Sequence, residues 1–415
     1  MVDTTSAEFV VSLYVHVPFC ARKCAYCAFY SEASEGAVVR RFVGALVRDF
    51  ERTHQTVRPE TLFFGGGTPS LLSLDQWRTL FGAMDRLNLA SPKEWSIECN
   101  PATVSLDKAR VWREHGVNRV SMGVQSLNEA LLDRLGRVHS RDMVFRSYDI
   151  LRRAGFDNVN LDLMFAIPGQ SLDVWRETLR EAMAMGSEHL SCYEVIYEED
   201  TPLFQQLQAG EVREDEDLAC AMHELLVEAT AGAGLRQYEI ANFARDLDTD
   251  RAGEPGIPSH ACRHNINYWK GGAYLGLGPG ACSYLRGNRF RTVGDTTGYC
   301  DRLEKGEAPE IVEDVLTPLA RAGEIAAFGL RMNVGWRLKD FRQVTGFELT
   351  EHWKETLAWL VEEGWGCLSE EQFRLTPLGL RFADAAGERF LQEGGTGASS
   401  SWRDTGTIGS GAGAG

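Results

Sequence analysis

Strand-like runs alternate with helical patterns through the first half of the chain, and this alternation limits the fold more than any other feature. "VVSLYVHV" (10–17) reads as a strand, followed by a helix over 37–54. "TLFF" (61–64) precedes a helix over 73–87, which opens on a Ser73/Gln76 capping-box pattern. "EWSIE" (94–98) precedes a helix near 105–115, and "RVSMGV" (119–124) precedes another with Ser126 and Glu129 as its capping pair. "NVNLDLM" (158–164) leads into a helix over 171–185, and "HLSCYEVI" (189–196) closes the series. Successive strand–helix units imply an α/β fold with a parallel sheet and right-handed crossovers. An open doubly wound sheet and a barrel or partial barrel both satisfy the pattern.

In either architecture the carboxyl ends of the strands line the site. Cys20 follows the first strand, "GGGT" (65–68) the second, Glu98 ends the third, Gln125 the fourth, and Asp162 lies within the fifth. Chemistry is therefore expected on that rim.

Three cysteines, Cys20, Cys24 and Cys27, crowd the loop after the first strand in a C-x3-C-x2-C spacing. Three thiolates can hold one face of an iron–sulfur cube, leaving the fourth iron open to an amine and a carboxylate. The alternative is a structural zinc held by the same cysteines and His16.

Beyond Tyr197 the pattern loosens, with an acidic, solvated helix near 213–233. From Thr317 a second unit emerges: helices over 316–332, 338–345 and 350–363, a hairpin in "GWGCLSEEQFRLT", and a last helix. Three helices and a wing suggest a winged-helix-like α+β unit. Residues 393–415 are Gly/Ser-rich and read as a disordered tail. The expected organisation is a core barrel over 1–200, an extension over 201–315, the C-terminal unit over 316–392, and the tail.

A net charge of −16 argues against nonspecific nucleic-acid or anionic-membrane binding, so the winged unit is expected to serve structure or docking. No apolar run approaches the ~18 residues of a bilayer span. No signal peptide is read, and ten mostly scattered cysteines suit a reducing cytoplasm.

"YVHVPFCARKCAYC" resembles the signature of radical S-adenosylmethionine (SAM) proteins of the coproporphyrinogen-oxidase-like branch. The resemblance continues through "FFGGGTPSLL", "SIECNP", "VSMGVQSLNEALLDRLGRVHS", "NLDLMFAIPGQS" and "SCYEVIYEEDTP". It implies a partial (β/α)6 barrel, with Cys20, Cys24 and Cys27 holding a [4Fe–4S] cluster and exchangeable SAM as the fourth ligand. Tyr26 is implied near the adenine and Tyr14 beside SAM. Gly66, Gly67 and Thr68 match the loop that meets the amino group, where a side chain on either glycine would obstruct backbone approach. Glu98, Gln125, Arg137 and Asp162 match further SAM-contacting positions, and the Arg137 fork suits a carboxylate. The cofactor carries the reductive cleavage to a 5′-deoxyadenosyl radical.

Within the branch the chain is similar to the HemW-type heme chaperones. The coproporphyrinogen dehydrogenase carries a fourth cysteine where this chain has Phe29, and a long extension before the cluster. The chaperones carry His-Asn-x-x-Tyr, matched by His264, Asn265 and Tyr268. Heme is therefore an implied ligand, with an acceptor protein and an electron donor as implied partners; imidazole and phenolate both ligate heme iron. Oxidative decarboxylation of coproporphyrinogen III and SAM-dependent methylation are the alternatives. Two positions depart from the pattern: Cys282 stands where the chaperones typically have His in "GAHS", and Ala28 where they commonly have Asp. "GLGPG" (276–280) lacks dinucleotide-binding spacing and is expected to permit close packing or a tight turn.

Overall fold

The computed structural model describes residues 9–33, 35–247, 256–285 and 287–391. The expected tail, 393–415, lies outside them. Strands β1 (Val10–Val17), β2 (Val57–Gly66), β3 (Glu94–Cys99), β4 (Arg119–Gln125), β5 (Val159–Phe165) and β6 (His189–Glu194) run parallel, each beside its sequence neighbour. A doubly wound sheet reverses its strand order at a switch point; this one does not. Strands β7 (Arg236–Gln237) and β8 (Asn242–Ala244) extend the sheet antiparallel beyond β6, while β9 (Leu275–Leu277) pairs parallel with β1. The order β9-β1-β2-β3-β4-β5-β6-β8-β7 leaves two edges, giving a partial barrel.

Alternation along the strands sorts chemistry by face. Leu13, Val15, Leu62, Phe64, Trp95, Ile97, Val120, Met122, Leu161 and Leu163 belong to the main apolar core. That core includes residues of the surrounding helices α1 (Gly36–Thr53), α2 (Leu74–Arg86), α3 (Leu106–Glu114) and α6 (Leu172–Ala184). Trp77 of α2 meets Phe64 edge-on at 5.3 Å and Trp112 of α3 at 5.8 Å. The intervening positions are largely polar: Ser12, Thr61, Glu94, Ser96, Glu98, Arg119, Ser121, Asn160, Asp162, His189 and Ser191, all buried. They line the inner face.

The expected capping box at Ser73/Gln76 is present. The Ser126/Glu129 pair is not: α4 (Glu129–Leu135) starts later, and Asn128 caps it by accepting the Leu131 amide at 3.2 Å. Glu129 instead accepts the backbone amide of Arg141, which opens α5 (Arg141–Arg153). The sequence reading assigned one helix between these strands; Gly136, left-handed at φ +73°, ends the first of two.

Next come α7 (Pro202–Gln208), unforeseen from sequence, α8 (Glu216–Gly232), and α9 (Arg263–Trp269) with the His-Asn-x-x-Tyr residues. Strands β10 (Cys282–Leu285), β11 (Asn288–Thr292) and β12 (Glu310–Val315) form an antiparallel sheet, with α10 (Thr296–Glu304) between the last two. The final stretch contains α11 (Pro318–Gly329), β13 (Trp336–Arg337), α12 (Leu338–Thr345), α13 (Leu349–His352), α14 (Lys354–Glu362), the β14 (Gly366–Leu368) and β15 (Gln372–Leu375) hairpin, and two short helices. Its residues pack into a second apolar core around Trp336, Phe341, Trp353 and Phe373. The helix read over 350–363 is broken at Trp353.

Candidate functional site

The cysteine loop is held by its backbone. Ala25 donates to the Leu135 carbonyl at the end of α4 and accepts the Leu203 amide from α7, both at 2.9 Å. Tyr26 and Cys27 are buried with Leu131, Leu135, Met164 and Ile167, and Phe29 packs against the same cluster. Thr68 donates its hydroxyl to the Cys20 sulfur at 3.7 Å, and Arg137 directs a guanidinium N–H at the Cys24 sulfur at 3.5 Å. Burial raises the Cys20 thiol pKa and pushes Cys27 up to about 12, so these groups favour the protonated form until a metal replaces the proton.

The zinc alternative does not fit. The His16 Nε2 donates to the Tyr30 carbonyl at 3.0 Å, which leaves Nδ1 to accept the Tyr14 hydroxyl at 3.1 Å. Both ring nitrogens are engaged, and burial lowers the pKa to about 4. Among the described residues, no three His, Cys, Asp or Glu side chains form a group suited to one metal ion. Three thiols with hydrogen-bond donors to two of them fit the separate corners of a cluster better than one ion.

The glycine loop sits beside the cysteines for a reason internal to the protein. Gly66 has φ +108°, and a Cβ there would lie 2.5 Å from the His16 ring; at Gly67 it would lie 2.7 Å from the Phe19 carbonyl. The amides of Gly66, Gly67 and Thr68 donate to Glu98 Oε2 (3.1 Å), the Val17 carbonyl (2.8 Å) and the Phe19 carbonyl (2.7 Å). With its N–H groups engaged, this loop can offer carbonyl oxygens, acceptors suited to an ammonium group.

The other rim residues come from neighbouring strands. Gln125 ends β4 fully buried, in the left-handed region at φ +62°. Such strain in a non-glycine residue is typical of ligand clamps. Arg137 also donates to the Gly123 carbonyl at 2.6 Å. Asp162 accepts from Asn160 at 2.6 Å and Ser121 at 3.1 Å; burial lifts its pKa to about 6 against the opposing pull of Arg119.

The His-Asn-x-x-Tyr helix lies toward the other end of the strands. His264 Nδ1 pairs with Thr61 Oγ1 at 2.9 Å and Nε2 with the Tyr268 hydroxyl at 2.7 Å, while Thr61 bonds Ser12 at 2.7 Å. Both imidazole nitrogens are thus engaged within the protein, and burial drops the pKa to about 3. The His264 ring stacks on Phe63 at 5.2 Å, and Phe63 stacks on Tyr14 at 6.2 Å. Tyr268 meets Tyr274 edge-on at 4.4 Å. Asn265 is buried with neither amide atom hydrogen-bonded. Burial raises the pKa values of Tyr14 and Tyr268, with Glu98 adding to the first and Tyr274 to the second, and the partly buried Cys282 adds a smaller push to both. Gly276 and Gly278 meet the close-packing expectation: a Cβ at each would fall 2.1 Å from the Cys282 carbonyl and 2.3 Å from the His16 carbonyl.

Sequence reasoning missed Glu94, Thr61 and Arg119 because it looked chiefly to the carboxyl ends of the strands. The signal was present in "EWSIE" and "RVSMGVQ", where polar residues recur at every second position of otherwise apolar runs.

Comparison with known proteins fits this geometry. Residues 14–182 match the Radical SAM superfamily and residues 316–382 the HemN C-terminal domain. The chain is 33% identical to the heme chaperone HemW of Bacillus subtilis over 389 residues, covering 92% of this chain and 99% of that protein. The chain belongs to the HemW family of radical SAM proteins. The Escherichia coli HemW is 38% identical over 276 residues, covering 65% of this chain and 69% of that protein. The E. coli coproporphyrinogen III oxidase HemN, a radical SAM enzyme, superposes with a TM-score of 0.79 over 93% of this chain and 91% of its own, at 20% identity. That likeness establishes a HemN-like fold. Radical SAM membership of this HemW-family chain implies a [4Fe–4S] cluster and SAM. Among its described residues, no helix is long and apolar enough to cross a membrane.

Proposed function

We propose that this protein is a cytoplasmic heme chaperone, which binds heme and passes it to an acceptor protein while a cluster and exchangeable SAM support the transfer. Cys20, Cys24 and Cys27 would hold the cluster, with Tyr14, Tyr26, Gly66, Gly67, Thr68, Glu98, Gln125, Arg137 and Asp162 around SAM. The cluster, when bound and reduced, supplies the electron for SAM cleavage. Thr68 and Arg137 donate to cysteine sulfur, and the packed cluster around Tyr26 and Cys27 excludes water from their side of the loop.

The observation that carries this reading is the aromatic row Tyr14–Phe63–His264, stacked ring on ring and closed edge-on by Tyr268, which joins the cysteine end of the inner face to the His-Asn-x-x-Tyr helix. A flat, apolar macrocycle suits such a wall. Ligation of heme iron by His264 would require it to give up its hydrogen bond to Thr61 or to Tyr268. The full-length similarity to a protein named as a heme chaperone supports the same reading. Decarboxylation is not favoured, because Phe29 fills the position of the oxidase's fourth cysteine and packs in an apolar cluster. The acidic surface argues for a protein acceptor and against nucleic acid.

Titration of the cluster-loaded protein with hemin, followed by absorption, tests the proposal. A saturable one-to-one complex whose spectrum changes in Tyr268→Phe is expected. No saturable complex, with or without the cluster, would end it.

A further inference from the structure

Arg119 is fully buried on the inner face, yet forms no ion pair with any described residue. Its one hydrogen bond, from Nη1 to Ser96 Oγ, is long at 3.5 Å, and Nε and Nη2 have no partner. A buried guanidinium with most of its donors unmet is costly, and folded proteins rarely leave one so.

Carboxylates lie nearby, but their oxygens are already engaged. Glu94 accepts the amides of Arg263 and His264, and Asp162 accepts from Asn160 and Ser121. Arg119 is electrostatically close to both, and also to Cys262 and Tyr238. It therefore lies between the strand floor and the start of α9. Asn265, on that helix, is another buried side chain in this region with unmet polar groups.

We propose that Arg119 is the receptor for a carboxylate on the ligand that enters the barrel interior, of the kind that a porphyrin propionate presents. The inference rests on the heme reading and adds a subsite to it. Arg137, already directed at the Cys24 sulfur and the Gly123 carbonyl, serves the cysteine end; Arg119 serves the end where His264 and Tyr268 lie. The planar fork of Arg119 has the two donors that a carboxylate takes side by side. Ordered water is the competing occupant.

Hemin and its dimethyl ester, in which both propionates are masked, separate these cases on the cluster-loaded wild-type protein. The ester is expected to bind about tenfold more weakly, the cost of leaving a charged donor unmet. In Arg119→Met and Arg119→Gln, the affinity for hemin should fall to that for the ester, while the ester's own affinity holds. Absorption of the cluster and the thermal melt report whether each variant is folded. Equal wild-type affinity for both ligands overturns the proposal without any variant, and so does a preference that survives in a folded variant. Failure of either ligand to bind saturably would instead remove the heme reading, and this subsite with it.

Discussion

The carboxylate of Glu94, the first residue of β3, accepts the backbone amide of His264 at 3.0 Å. Its other oxygen takes the Arg263 amide at 2.9 Å. The N-cap residue Cys262 supplies no side-chain cap, so a strand residue distant in sequence satisfies the first amides of α9, which have no partner within the helix. Glu94→Ala should lower stability by about 1–3 kcal/mol by leaving buried amides unmet. Urea denaturation measures that loss, and hemin absorption should show a disturbed His264 environment. Unchanged values for both would mean that α9 is held by other contacts.

Alanine at Gly66 would drive its Cβ into the His16 ring from a left-handed backbone, and alanine at Gly67 would meet the Val17–Phe19 backbone. Each substitution should cost about 1–3 kcal/mol, with the larger loss at Gly67, because backbone yields less readily than a side chain. Thermal melts and the iron content of reconstituted protein report it. Alanine variants that melt with the wild type would place these contacts outside the stability of the fold.

Replacing Cys20, Cys24 or Cys27 singly by alanine should take reconstituted iron from about four per chain to near zero. The melt should shift little for Cys20→Ala, since that side chain is only partly buried. Iron retained near the wild-type level in any of the three would remove that cysteine from the ligand set.

His264 is buried neutral, with its pKa held near 3, whereas an unfolded chain binds that proton near ~6.5. Its contribution to stability is therefore complete above about pH 6.5 and is lost as pH falls toward 3. His16, lowered to about 4, acts in the same direction. Asp162, raised to about 6, acts oppositely: its contribution is present below the unfolded value of ~3.9 and lost as pH rises through about 6. Urea midpoints at about pH 5 and about pH 7.5 should show an acid-labile protein, with the gap narrowed by a few kcal/mol in His264→Gln. A gap unaltered by that substitution would assign the acid lability to other groups.

The parallel sheet, the cysteine loop and the glycine turn were legible because each depends on local pattern. The Ser73/Gln76 cap is local too, and it formed as read. The Ser126/Glu129 cap failed because Asn128, two residues closer to the helix, accepts the Leu131 amide, while Ser126 instead accepts the Asn128 amide. The roles of Glu94, Thr61 and Arg119 depend on partners across the sheet or on a helix more than 160 positions away, as for Glu94 and His264. The glycines stand out in the sequence as a place for close approach, and within the chain the groups that approach them are the His16 ring and the Phe19 carbonyl. Strand β9 escaped notice because three residues carry too little periodicity to read.

The C-terminal unit meets α9 from the side away from the inner face. Phe328 lies 6.3 Å from Trp269, Arg331 stacks over the same indole, and Ile325 leaves no room for a Cβ at Gly271. The helix that carries His264 and Tyr268 is thus a partition one helix thick, with strands on one side and a separate apolar core on the other. The C-terminal unit therefore reaches the His264 helix directly, through Phe328, Arg331 and Ile325, at a distance from the cysteine loop.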